Sequence, residues 1–117
     1  MSVKGSAYSR FQRALRLGRL DQIRDAAAEL PQVDLVDALH ICLLMSVQDD
    51  ERFDRAATRW LARLALERPN VSLADLRLGL HALQALPHNP TAARHALADL
   101  CAAHGLPRAE RVLSATR

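Results

Sequence analysis

The sequence predicts an all-α fold: about seven short helices in antiparallel hairpins, forming a compact bundle or a short α-solenoid-like stack. Three observations predict it. Half of the 117 residues are hydrophobic but only Tyr8, Phe11, Phe53 and Trp60 are aromatic, so leucine, alanine and valine must build the core, which favours packed helices over a sandwich. Glycine and proline are sparse, at 4 and 5, and fall where helices would stop. Apolar residues recur at three- and four-residue spacing, and no alternating strand pattern competes. A chain of this length suits one domain, 1–117, burying roughly two-thirds of the surface its unfolded form exposes. Residues 1–6 are expected to be a flexible N-terminus.

Punctuation then divides the chain. The first segment runs from about Ala7 to Leu17 and stops at Gly18; the second runs from Leu20 to Leu30, with Leu20, Ile23, Ala27 and Leu30 on one face, and stops at Pro31. Together they form a tight hairpin. The third starts at Asp34 as N-cap, with Asp37 a turn later in a capping-box-like pair, and reaches about Val47. Its apolar run "LVDALHICLLMSV", broken by Asp37 and His40, is too short for a membrane span and reads as a central core helix. The fourth extends from near Asp50 to Pro69. In the fifth, Ser72 can cap and Asp75 can reach back, aligning Leu73, Leu76, Leu80 and Leu83 before Pro87. Asn89 and Pro90 announce the sixth, which ends at "HGLP" with Gly105 suited to a left-handed C-cap. A short seventh covers roughly Arg108 to Ala115.

Several stretches resemble known arrangements. "FQRAL" (11 to 15) returns as "FDRAA" (53 to 57) and "DLVDALH" (34 to 40) as "DLRLGLH" (75 to 81), a hint of repetition with a period near 41 that chance also produces in so leucine-rich a chain. "ALRLGRLDQIRDAAAEL" (14 to 30) resembles the helix-turn-helix half of an ankyrin repeat through Ala14, Gly18, Leu20, Ile23 and the alanine run, without the TPLH start. It implies close hairpin packing of the ankyrin or HEAT kind. "LADLCAAHGLPRAERVL" (97 to 113) resembles the repressor-type helix-turn-helix through Leu97, Asp99, Leu100, Gly105 and Leu106, but Arg111 and Ser114 stand where apolar anchors belong. The whole chain resembles small all-helical proteins of unknown function from high-GC Gram-positive bacteria, a likeness that supplies no mechanism.

Charge is regional. The net +3 divides into +5 over residues 1–20, nine acids against three arginines over 21–58, and eight arginines against four acids over 59–117. In "ERFDRAATRWLARLALERPN" (51 to 70), Phe53, Ala56, Ala57, Trp60, Leu61 and Leu64 gather on one side of a helix. Arg52, Arg55, Arg59 and Arg63 gather on another, about 135° away. Only Glu51, four residues before Arg55, is placed to neutralise that ridge locally. Four planar guanidinium forks could clamp carboxylates or track phosphates, although charged rows are ordinarily solvated faces. With Arg10, Arg13 and Arg16 of the first segment, they form the expected partner-binding surface.

Enzyme chemistry finds no foothold. There is no phosphate loop, G-x-S-x-G elbow or H-E-x-x-H helix. Cys42 and Cys101 are expected to be reduced and buried; with His104 and a further histidine they could be imagined as a metal site, but paired C-x-x-C spacing is missing. His104 reads as a helix C-terminal residue complementing the dipole, and His40 and His81 as core-edge residues. No catalytic residue, cofactor, metal or small-molecule substrate is expected. No secretory signal is visible, so the cytoplasm is the expected compartment. The expectation is a non-enzymatic interaction or adaptor module that binds a protein partner or self-associates. The alternative is a small basic nucleic-acid binder, recognised by steep salt dependence.

Overall fold

The computed structural model describes residues 3–115, with side chains from residue 6 onward. Seven helices occupy this range: α1 (Val3–Leu17), α2 (Leu20–Ala27), α3 (Leu35–Val47), α4 (Phe53–Glu67), α5 (Leu73–Ala85), α6 (Pro90–Ala103) and α7 (Arg108–Ser114). No strand occurs among the described residues, and no helix is long and apolar enough to cross a membrane. The all-α bundle expected from composition is the fold. Helix α1 begins before the expected Ala7, and α2 stops three residues short of Leu30.

Three helices end in the same turn, with a left-handed residue after the C-cap. Gly18 (φ +69°) ends α1, with Arg19 N donating to Ala14 O; Gly105 (φ +74°) ends α6, with Leu106 N donating to Cys101 O. Both are Schellman turns. The third is less obvious from sequence: Asp49 (φ 54°) ends α3, with Asp50 N donating to Met45 O. Aspartate tolerates this conformation better than most side chains. Of the expected caps, Ser72 and Asp75 form the reciprocal box, and Asp34 accepts from Asp37 N at 2.8 Å. Asn89 occupies the N-cap position of α6 but its side chain makes no capping bond.

Packing follows chain order, α1 on α2, α3 on α4, α4 on α5, α5 on α6 and α6 on α7, and α7 returns to α3. Two apolar clusters result. The larger joins α3 to α7 around Leu39, Trp60, Leu64, Leu83, Leu97 and Cys101. The smaller lies under the α1–α2 hairpin around Phe11, Leu15 and Ile23, and reaches Ile41 and Leu44 of α3. Helix α3, apolar on nearly every side, therefore sits between them as the central helix, as its sequence suggests. The offset hairpin stretches the molecule to 43 × 30 × 23 Å with a radius of gyration of 14.0 Å, against about 13 Å for a rounder chain of this length.

Two contacts fix the larger cluster. The buried indole of Trp60 donates from Nε1 to Leu35 O at 2.8 Å, pinning α4 to the start of α3. Helix α5 comes so close to its neighbours that a Cβ on Gly79 would lie 2.7 Å from Leu61 Cδ1 and 3.1 Å from Leu100 Cδ2. This approach rotates α5 away from its expected face. Gly79, Ala82, Leu83 and Leu86 point inward, whereas Leu73 and Leu80 are exposed, because the short side chains let the helix axes approach. His81 is exposed as well, contrary to its expected place at the core edge; His40 is half-buried.

The similarity with a period near 41 does not describe a structural repeat. Its matches set α1 against α4 and α3 against α5, but α2 lies between α1 and α3 whereas no helix lies between α4 and α5. Likewise, the stretch resembling a DNA-reading helix is seven residues of α7 with Ala109 and Leu113 buried, docked against α3 and α6.

Candidate functional site

The seven arginines expected to form one partner surface do not stay together. At the start of α4, Arg52 forks onto Asp50, with Nε 2.9 Å from Oδ1 and Nη2 2.7 Å from Oδ2. Its backbone N–H donates to the same carboxylate at 2.8 Å. These bonds hold the Asp50 carboxyl down to about 2, because a carboxylate with several donors resists protonation. Asp50 thus fastens the turn before α4 through both the backbone and the side chain of Arg52. Four residues from the other end, Arg63 Nε donates to Glu67 Oε2 at 2.7 Å, an i,i+4 pair that the expectation of a largely unpaired ridge overlooked. Arg63 is half-buried and turns towards a cleft of about 390 Å³ that also receives Arg68 and Arg108.

The arginines of α1 scatter further. Both terminal nitrogens of Arg10 reach Glu29, at 2.8 Å each, so this residue ties α1 to the α2 end and holds the Glu29 carboxyl below its usual range. Arg13 lines a groove between α1 and α2 opposite Asp25. Arg16 faces a different cleft, walled by α3, α6 and α7. Helix α4 lines neither. The basic N-terminal helix and the α4 ridge therefore share no cleft, and Arg10, Arg13 and Arg16 diverge from one another because residues three apart turn progressively around the helix.

What remains of the ridge is Arg55 and Arg59. Both are exposed, and neither enters an ion pair among the described residues. Together with Asp54, Thr58 and Ala62 they border a shallow depression on α4. Sequence reasoning missed how this face continues: Leu66, four residues past Ala62, is 87% exposed. The spacing from Arg55 through Arg59 and Ala62 to Leu66 is four, three and four residues, which keeps all of them on one stripe opposite the core. The sequence held the signal, since Leu66 falls about 220° from Phe53 on the helix.

The other candidates have structural partners. Asp37 is buried at 6% exposure, accepts from Gln12 Nε2 at 3.1 Å and lies 3.9 Å from Arg108 Nη2. Burial and the neighbouring Asp34 push its carboxyl up. Gln12 donates also to Tyr8 Oη at 2.9 Å, so one carboxylate joins α1, α3 and α7. His104 occupies the C-cap of α6, with Nε2 2.9 Å from Asp75 Oδ2, linking that end to the α5 cap. Cys42 and Cys101 are both free and buried, and burial pushes the thiols up to about 12 and about 11. Among the described residues, no three His, Cys, Asp or Glu side chains gather as metal ligands would. No family model matches the chain, and no curated protein or solved structure matches it.

Proposed function

We propose that the chain is a non-enzymatic interaction module whose outward α4 stripe, Arg55, Arg59, Ala62 and Leu66, receives an acidic, partly apolar helix of a protein partner. One observation carries this reading: two guanidinium groups that enter no ion pair among the described residues share a stripe with the most exposed large hydrophobic side chain described there. Arg52, Arg63 and Arg10 are occupied in holding their own elements, so the proposed surface is smaller than the seven-arginine one. A carboxylate-bearing helix could pair with the two forks while covering Leu66, and an apolar anchor beside charged pairs is the usual economy of a contact patch. The thiols support a non-catalytic role, since their raised pKa values suppress the thiolate a nucleophile requires.

Selection of a displayed library of helical peptides against the full chain tests this. Recovered sequences should carry Asp or Glu at i,i+4 beside a leucine or isoleucine. Their affinity should fall about 10-fold or more with Arg55→Glu/Arg59→Glu and with Leu66→Asp, and stay unchanged with Arg10→Glu. Recovered peptides that bind the α4 variants undiminished would overturn the reading. Binding of unrelated duplex DNA that weakens steeply with salt, and is lost in the same variant, would favour phosphate recognition instead.

A further inference from the structure

A second surface, away from α4, has the chemistry of a small-molecule site. Between the C-terminal end of α1 and the faces of α3, α6 and α7 lies a cleft of about 620 Å³, within the range of about 300–1,000 Å³ common for ligand pockets. Hydrocarbon lines most of it. Leu43 is buried beneath the cleft and Leu44 and Val112 are half-buried, while Leu17 and Val47 are each 56% exposed. The cleft draws on both apolar clusters, since Leu43 belongs to the larger and Leu44 packs against the smaller.

Its polar groups are few and of one sign. Arg94 enters from α6, and its Nη1 donates to Leu113 O at 3.2 Å and Ala115 O at 3.1 Å. These bonds hold the guanidinium in place, and its Nε and Nη2 make no hydrogen bond among the described residues. Arg16 stands exposed on the opposite wall without an ion pair there. His40 also lines the cleft; burial and then the Arg94 charge push its imidazole down, so it adds polarity without adding charge near neutral pH. One end is closed by Gln48 Nε2 donating to Gly18 O at 2.7 Å. No carboxylate lines the cleft among the described residues. The acids that follow Gln48 lie outside it, and Asp50 is already forked by Arg52. By contrast, the cleft near Arg63 contains Asp34 and Glu67, and the α1–α2 groove contains Asp25.

From this pairing of greasy walls with two guanidinium groups that enter no ion pair among the described residues, we propose that the cleft binds a free medium-chain alkyl carboxylate. The carboxylate lies against the fixed Arg94 fork, where a bidentate pair is geometrically favoured, and Arg16 closes over it from α1. The alkyl chain covers Leu17, Leu44 and Val47, removing their exposed hydrocarbon from water. An alkyl ammonium of equal length would meet like charge.

Calorimetric titration of the full chain with octanoate, decanoate, decanol and decyltrimethylammonium tests the proposal. Decanoate should bind saturably at one equivalent and about 10-fold more tightly than octanoate, reflecting two added methylenes. It should also bind more tightly than decanol, and decyltrimethylammonium should not bind. Arg16→Glu should weaken decanoate about 10-fold and leave decanol unchanged; Val47→Asp should weaken both. Both positions are exposed, so the variants should fold, which circular dichroism checks. Methyl NMR shifts on decanoate binding should centre on Leu17, Leu44 and Val47. Absence of saturable decanoate binding, equal affinity for decanoate and decanol, or an Arg16→Glu variant that binds decanoate normally would overturn it.

Discussion

Replacing Gly79 with alanine should destabilise the chain by about 1 kcal/mol, even though alanine is the better helix former by about 1 kcal/mol. The added methyl would sit 2.7 Å from Leu61 Cδ1 and 3.1 Å from Leu100 Cδ2, where carbon atoms in good contact stand about 3.5–4.0 Å apart. Leu61 would have to retreat by nearly 1 Å and Leu100 by about half of that. Both are core residues at 9% and 3% exposure, so neither has open space to turn into. Overpacking of this kind costs about 1–3 kcal/mol, which exceeds the gain in propensity. Urea unfolding followed by circular dichroism at 222 nm and by Trp60 fluorescence should show the midpoint falling by about 0.5 M, for a slope of about 2 kcal/mol/M. In a Leu61→Ala background the same change should become neutral or stabilising, because the closest atom is gone. A Gly79→Ala variant whose midpoint rises in the otherwise unaltered chain would refute the close approach of α5.

Three further outcomes follow from the same geometry. Ser72→Ala should lower stability by about 1 kcal/mol through loss of the α5 cap, read from the urea midpoint. Asp37→Asn should gain on the original chain as pH rises: the raised carboxyl means that the folded form holds its proton more tightly than the unfolded one, so stability present below the unfolded pKa near 4 is lost as pH climbs through the folded value. Parallel melts at pH 3 and pH 7 check the sign. Neither thiol should react with 4,4′-dithiodipyridine at pH 8 until urea is added, since both are buried with their pKa values raised to about 12 and about 11.

Helix number, most boundaries and the central position of α3 were legible because 3.6-residue periodicity, Gly18, Gly105, Ser72 and the prolines act locally. The rotation of α5 was not legible. Its leucine stripe and its glycine–alanine stripe both fit a helix, and only the proximity of Leu61 and Leu100 selects the second. The arginine ridge shows the same division. Its angular position could be read from sequence, but the Arg10–Glu29 fork joins residues nineteen apart, and the Arg108–Asp34 contact joins residues seventy-four apart. No local pattern encodes such pairs. The Arg63–Glu67 pair was readable, at four residues' separation, and so was the outward direction of Leu66. The alkyl-lined cleft was beyond reach, since it is assembled from α1, α3, α6 and α7.

The division of apolar contacts into two clusters makes the chain mechanically uneven. Among the described residues, only Phe11, Ala14, Leu15, Ile23 and Ala26 are buried in the smaller one; side-chain ties such as Gln12 to Asp37 and Gln48 to Gly18 reinforce its seam with α3. A strain or denaturant too mild to breach the Trp60 region can therefore peel α1 and α2 away as a unit, leaving five helices standing and the apolar flank of α3 bare to water.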